Sequence, residues 1–263
     1  MAFNIDLSGK VVLVTGVSSG IGLGVAQAFA RAGATVAGCA RKSPDDAHIV
    51  RFRELVAKEH ARSLYVRADV TVDSDLRSLA DSVFKELGRI DILVSNAGMN
   101  VFEGAENCDD AHWEYNMKLN LESHWKIAKY CKPYLERSGE GTILLMTSNH
   151  AYASIPGCFP YNVAKSAITG LVRSLALEWT PAIRTVGVAP GFVDTQGNQT
   201  WFDSFPDPDA ERRRTINLHP VKKIGTPEEI GALCVFLASP MASFICGTTI
   251  LVDGGRSAVM QDD

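Results

Sequence analysis

The chain lacks any apolar run approaching the ~20 residues a helix needs to cross a bilayer, which argues against a membrane protein. It also lacks an excess of positive charge. Its 26 Lys and Arg stand against 30 Asp and Glu, for a formal net charge of −4, a poor surface for nucleic-acid phosphates. Clustered metal ligands are missing too. The six cysteines (Cys39, Cys108, Cys131, Cys158, Cys234, Cys246) include no CxxC pair, and the six histidines form no HExxH and no Cys/His group. Zinc sites want clustered ligands, and disulfide frameworks belong to short secreted chains. No metal is therefore expected, and the thiols read as buried and reduced. The opening MAFNIDLSGKVVLVTG has no basic n-region and no long apolar stretch before a small-residue cleavage site, so it does not read as a signal peptide. AVMQDD is no recognisable address signal. A cytoplasmic location is expected. No linker, low-complexity tract or internal repeat divides the chain.

What is present is ordinary globular composition, 46% hydrophobic and 21% charged over 263 residues, which suits one large domain spanning 1–263. Short β-branched runs alternate with amphipathic stretches. VVLVT (Val11–Thr15) predicts a buried strand, followed by glycines and a helix over Ile21–Ala32. TVAGCA (Thr35–Ala40) is a second strand. A helix over about Asp45–His60 carries Ile49, Phe52, Leu55 and Val56 at helical spacing. A third strand falls near Leu64–Ala68. Asp73–Leu87 is a helix with Asp73 as its N-cap and Gly88 as its stop. DILVSNAG holds strand four, a long helix lies within Asp109–Leu135 with Pro133 perturbing its last turn, and GTILLMTS is strand five. A helix over Tyr161–Trp179, strand six in TVGVAP, a helix over Pro227–Ala238 capped by Thr226, and strand seven in TTILVDGG complete the pattern. Gly191 to about Gly225 reads as one long irregular stretch, and long loops often serve as lids. Seven strands alternating with helices predict an α/β fold: a single Rossmann-like, doubly wound parallel sheet with helices on both faces.

Strand one runs into Thr15-Gly16-Val17-Ser18-Ser19-Gly20-Ile21-Gly22. Residues without Cβ let backbone approach a pyrophosphate, and the helix that follows offers unpaired N–H donors and a positive dipole end. The spacing is GxxxGxG rather than GxGxxG. Strand two ends Cys39-Ala40-Arg41-Lys42, with no carboxylate for a ribose 2′-hydroxyl. Arginine there suits a 2′-phosphate, so NADP(H) is favoured, with NAD(H) the other candidate.

Tyr161-Asn162-Val163-Ala164-Lys165 sets a phenol and an ammonium four residues apart, on one helix face. A phenol titrates near pH ~10, and lowering that by ~2–3 units needs ~3–4 kcal/mol. A neighbouring ammonium favours the phenolate, and together with an oxidised nicotinamide in a partly dry site it is expected to supply this, leaving Tyr161 able to take a proton from an alcohol or return it. Such a pair recurs by chance in amphipathic helices. Its weight comes from Ser148, thirteen residues upstream at the C-terminal end of strand five, where open α/β sheets place ligands, and from Asn96 and Asn120 beyond strand four.

Taken in order, TGVSSGIG at Thr15–Gly22, Asp69-Val70, Asn96-Ala97-Gly98, Asn120, Ser148, Tyr161-x-x-x-Lys165, Pro190-Gly191 with Thr195, and Val252-Asp253-Gly254-Gly255 resemble the short-chain dehydrogenase/reductase family over nearly the whole chain. The resemblance implies that Ser148 holds the substrate oxygen against Tyr161, and that Lys165 binds the nicotinamide ribose and lowers the Tyr161 pKa. Asn120 is implied to hold a water linking Lys165 to solvent. The resemblance further implies that Gly16, Ser18, Ser19, Gly20, Ile21 and Gly22 cradle the pyrophosphate, that Asp69 and Val70 meet the adenine, and that Asn96 and Gly98 flank the cofactor. Val193 and Thr195 would contact the nicotinamide carboxamide, with Pro190 also at the cofactor. Arg41 looks like the NADP-preferring type, and family members are commonly tetramers, which implies a homotetramer. Two positions depart from the family pattern: Ser95 precedes Asn96 where Asn is frequent, and Arg184-Thr185-Val186 stands where Arg-Val-Asn is usual.

After Pro190-Gly191 come Trp201, Phe202 and Phe205, with Asp203, Asp207 and His219 among them. Aromatics beside hydrogen-bonding groups suit an amphipathic substrate such as a monosaccharide or polyol, with Ser148, His150 and Trp201 as its expected contacts and Asn149 nearby. Trp201 serves equally well as lid packing. Two other readings stay open. One is a 3-oxoacyl thioester reductase, for which Arg212-Arg213-Arg214 would meet an acidic carrier. The other is a dinucleotide-binding regulator without turnover, which the intact Ser148, Tyr161 and Lys165 set disfavours.

Overall fold

The computed structural model describes residues 5–260. Seven parallel strands lie in the order β3-β2-β1-β4-β5-β6-β7. They are β1 (Val11–Thr15), β2 (Thr35–Ala40), β3 (Ser63–Arg67), β4 (Ile92–Ser95), β5 (Gly141–Met146), β6 (Ile183–Pro190) and β7 (Thr249–Val252). The helices between them are α1 (Gly20–Arg31), α2 (Ala47–Lys58), α3 (Asp73–Leu87), α4 (Asp110–Met117), α5 (Ser123–Arg137), α6 (Tyr161–Trp179), α7 (Gln196–Asp203), α8 (Pro208–Asn217) and α9 (Pro227–Ala238). The doubly wound expectation holds.

Each central strand feeds two cores because successive side chains point to opposite faces. Val12 and Val14 pack with Val25 and Phe29 of α1 and Ile230 and Cys234 of α9. Val11 and Leu13 pack with Leu79 and Val83 of α3, Ile127 of α5 and Val172 of α6. That is why strands buried on both faces read as unbroken hydrophobic runs. The direction of winding reverses between β1 and β4, which both pair with each other and lead away in opposite senses. Loops at the C-terminal ends of these two strands diverge, leaving a crevice where open sheets bind ligands.

Four local expectations are corrected. Asp73 is not an N-cap: Val72 holds that position, and Asp73 is the first helical residue, its Oδ1 accepting from Tyr130 and Lys126. The long helix after β4 is broken by a π turn at Lys118–Glu122, where Ser123 Oγ donates to Leu119 O at 2.6 Å. The helix runs past the expected Leu135: α5 continues to Arg137 with Pro133 inside it and Cys131 and Leu135 anchored in the core on either side. The stretch from Gly191 to Gly225 is not irregular. It contains α7, capped by Thr195, and α8, capped by Asp207 with Pro208 at its first position. Both are short and bury few apolar side chains, so periodicity could not reveal them, although their caps were legible.

Helices α1 and α9 approach closely at two glycines. A Cβ on Gly24 would lie 2.5 Å from Pro227 Cβ, and one on Gly231 would lie 2.7 Å from Ala28 Cβ. Gly24→Val is expected to cost roughly 1–3 kcal/mol by overpacking and to lower the melting temperature by several degrees. An unchanged thermal melt would contradict this packing.

Candidate active site

A cleft of about 1260 Å³ follows the C-terminal edge of the sheet. Its first wall is the turn between β1 and α1. Gly16 has φ +80°, and a Cβ on Gly22 would collide with the Gly16 carbonyl oxygen and lie 2.5 Å from Asn96 Nδ2. The backbone is thus packed to a density only glycine allows. Ser18, Ser19, Gly20 and Ile21 line the cleft beside them. Ser19 is the N-cap of α1, yet its side chain caps nothing, and the first N–H groups of a helix have no intrahelical partner. A phosphate-bearing ligand fits such a cradle. Asn96 braces it from behind: its N–H donates to Thr15 Oγ1 at 2.9 Å and its Nδ2 to Thr15 O at 3.0 Å.

Arg41, Asp69 and Val70 line the cleft beyond the ends of β2 and β3. Lys42 is engaged with Asp46 at 3.1 Å, whereas the exposed Arg41 guanidinium has no ion-pair partner among the described residues. Asp69 Oδ1 accepts from Thr71 N and Oγ1 at 2.9 and 2.7 Å.

Tyr161 opens α6, and Lys165 lies one turn on; both are buried and line the cleft. Ser148 follows the end of β5 and caps a short 3₁₀ turn, its Oγ accepting from His150 N at 3.2 Å. Lys165 Nζ donates to Met146 O at 3.1 Å and stands 5.6 Å from the centre of the Tyr161 ring. Burial pushes Tyr161 up to about 12, opposed by the neighbouring Ser148 side chain. Burial also pulls Lys165 down to about 7. Water is excluded from both groups, and each favours its neutral form.

Asn120 does not line the cleft. It is fully buried in the π turn, with Nδ2 donating to Met99 O and Asn116 Oδ1, both at 2.9 Å, and Oδ1 accepting from Met99 N at 3.1 Å. Gly98 lies between it and the lysine: a Cβ there would be 2.7 Å from Asn120 Oδ1 and 3.5 Å from Lys165 Nζ. Two supporting residues escaped sequence reasoning. Asn116 also donates to Pro160 O at 3.0 Å, tying the π turn to the start of α6. Thr147 Oγ1 donates to Lys165 O at 2.6 Å. The spacing of Asn116 and Asn120 was the available signal for the first; nothing marked the second.

Pro190, Val193 and Thr195 line the cleft too; Thr195 packs beside the cradle, its Cγ2 3.3 Å from where a Cβ on Gly20 would lie, and its Oγ1 caps α7 by accepting from Asn198 N. Gly98, His150 and Trp201 line it as well. His150 is T-shaped to Tyr161 at 6.1 Å between ring centroids. Trp201 does both jobs left open above: it borders the cleft and packs on Phe192, Phe202 and Phe205 at 5.6, 5.2 and 4.8 Å.

Comparison with known proteins agrees with this geometry. A family model described as enoyl-(acyl carrier protein) reductase matches residues 16–257. The rabbit L-fucose dehydrogenase is 34% identical over 97% of this chain and 87% of its own length. Human dehydrogenase/reductase SDR family member 4 is 32% identical over 95% of this chain and 88% of its own. The ligand-free structure of Thermoplasma acidophilum aldohexose dehydrogenase superposes with a TM-score of 0.89 at 30% identity, covering 99% of both chains. With relatives of this kind along nearly its whole length, the chain belongs to the short-chain dehydrogenase/reductase family of NAD(P)-dependent oxidoreductases.

Proposed function

We propose that this enzyme favours NADP(H) over NAD(H) and interconverts a secondary alcohol and its carbonyl, with a monosaccharide or polyol as the substrate. The observation that carries the reading is the grouping of Ser148, Tyr161 and Lys165 in the same cleft as the glycine cradle. The nicotinamide, when bound, supplies the hydride acceptor or donor and, oxidised, a positive charge. Tyr161 takes the hydroxyl proton in oxidation and returns it in reduction, while Ser148 holds the reacting oxygen. Lys165 holds the ribose hydroxyls, and Asn120 holds a water linking it to solvent. Arg41 meets the 2′-phosphate, and Val193 and Thr195 meet the carboxamide. The segment 191–225, carrying α7 and α8, covers the substrate as a lid over the one domain.

Support for a sugar comes from relatives named for L-fucose and aldohexose. The thioester alternative has the description of the matching family model in its favour. Charge weighs against it: Arg212 is paired with Asp194 at 2.7 Å and Arg214 with Glu211 at 2.6 Å, leaving little of the basic run for an acidic carrier. A homotetramer completes the proposal, supported by Leu177 and Phe244, which are 85% and 103% exposed on the single chain. So does a reducing, cytoplasmic setting, supported by six unbridged cysteines, four of them buried.

The test is nicotinamide absorbance with NADP⁺ and NAD⁺ against D-glucose, L-fucose, polyols, ketones and an acyl thioester. Faster reaction of the hydroxyl-rich panel with NADP⁺ is expected. Thioester-only turnover would replace the substrate assignment. A pH prediction accompanies it. Because the phenol is pushed up to about 12 and its ionised form is the base, kcat/KM for oxidation should rise with pH, about tenfold per unit below the apparent pKa. A flat profile under chemistry-limited conditions would contradict the phenolate role.

A further inference from the structure

His150 stands two residues beyond Ser148, in the 3₁₀ turn Asn149–Ala151. Its backbone N–H donates to Ser148 Oγ at 3.2 Å, so its main chain aims the serine while its ring lines the same cleft. Packing fixes that ring. It is T-shaped to Tyr161 at 6.1 Å and to Phe102 at 5.9 Å, and Nδ1 lies 3.4 Å from Ser154 Oγ. Burial holds the imidazole below the ordinary histidine range. At neutral pH the ring is uncharged, with one N–H and one lone pair to offer. No carboxylate pairs with it among the described residues. Proton transfer through Tyr161 and Ser148 leaves this half-buried polar group without a task.

We infer that His150 reads a second hydroxyl, on the carbon next to the reacting one, and so makes the enzyme selective for vicinal diols over isolated secondary alcohols. The inference rests on Ser148 and Tyr161 holding the reacting oxygen. With that oxygen between the two side chains, substituents on the adjacent carbon fall beside the ring that borders both. A vicinal hydroxyl replaces the water the imidazole loses. An isolated alcohol, a steroid or an acyl chain sets apolar surface against it instead. Leaving a site's polar group unpaired costs more than a made hydrogen bond gains, which is why such sites discriminate strongly.

The test measures kcat/KM at saturating NADP⁺ for two matched pairs: trans-1,2-cyclohexanediol against cyclohexanol, and D-glucose against 2-deoxy-D-glucose. The wild type should prefer the hydroxylated member roughly 10- to 100-fold. His150→Phe, which keeps a ring against Tyr161 and Phe102, should bring the ratio toward unity, and His150→Gln should restore much of it. If the Phe variant misfolds, His150→Leu reads the same ratio. An unchanged ratio in these variants, even with both rates reduced, marks a packing role and overturns the inference. Equal use of both members by the wild type overturns it as well. So does failure to oxidise either pair; the broad substrate screen then judges the hydride-transfer reading separately.

Discussion

Replacing Tyr161 by phenylalanine is expected to lower turnover by ~10²–10⁴-fold, the range supplied by a positioned proton-transfer group, while leaving dinucleotide affinity within a factor of about two to three. The exchange removes one oxygen. The ring keeps its T-shaped contacts with Phe102 at 5.4 Å and His150 at 6.1 Å, so the cleft wall stays in place. Burial already holds the phenol in its neutral form, so no buried phenolate is removed by the change. Stopped-flow hydride transfer and fluorescence titration with NADPH separate the two effects. A variant that retains turnover, or one that loses cofactor affinity in proportion, contradicts the assigned role.

The second large effect is at Arg41. Its side chain is exposed at the cleft rim, so screening weakens its field, yet a guanidinium meeting a phosphate makes paired, charge-assisted bonds. Arg41→Asp removes these bonds, repels a 2′-phosphate and offers an acceptor to a free 2′-hydroxyl. The NADP-to-NAD ratio of kcat/KM should fall by about 10²-fold or more, and the salt dependence of NADP binding should weaken. Unchanged relative values would reject the 2′-phosphate assignment. Lys42, held by Asp46, is expected to contribute less.

The sheet was legible because parallel strands buried on both faces leave continuous β-branched runs, as at Val11–Thr15. The long helices were legible from their spacing and stops, as at Gly88, whose φ of +75° ends α3. Helices α7 and α8 were not, since eight and ten residues with few buried apolar side chains leave no periodic trace. The π turn that carries Asn120 was hidden for another reason. It is one inserted residue, visible only once Asn116 and Asn120 are seen bonded to each other and to the segments at Met99 and Pro160. Of the candidate site residues named from motifs, all but Asn120 line the one cleft. Their electrostatics were not legible. The sequence sets Lys165 beside Tyr161, but burial acts on both, and its sign runs against the simple expectation of an ammonium lowering a phenol.

That conflict makes ionisation of Tyr161 the point on which the catalytic account turns. Near-ultraviolet phenolate absorbance, taken as wild type minus Tyr161→Phe and titrated between pH ~7 and ~10, measures it with and without saturating NADP⁺. The account predicts no phenolate from residue 161 in this range for the protein alone, consistent with a pKa of about 12, and a clear phenolate signal once oxidised dinucleotide binds. An identical difference spectrum in both conditions, with NADP⁺ binding confirmed, would contradict it.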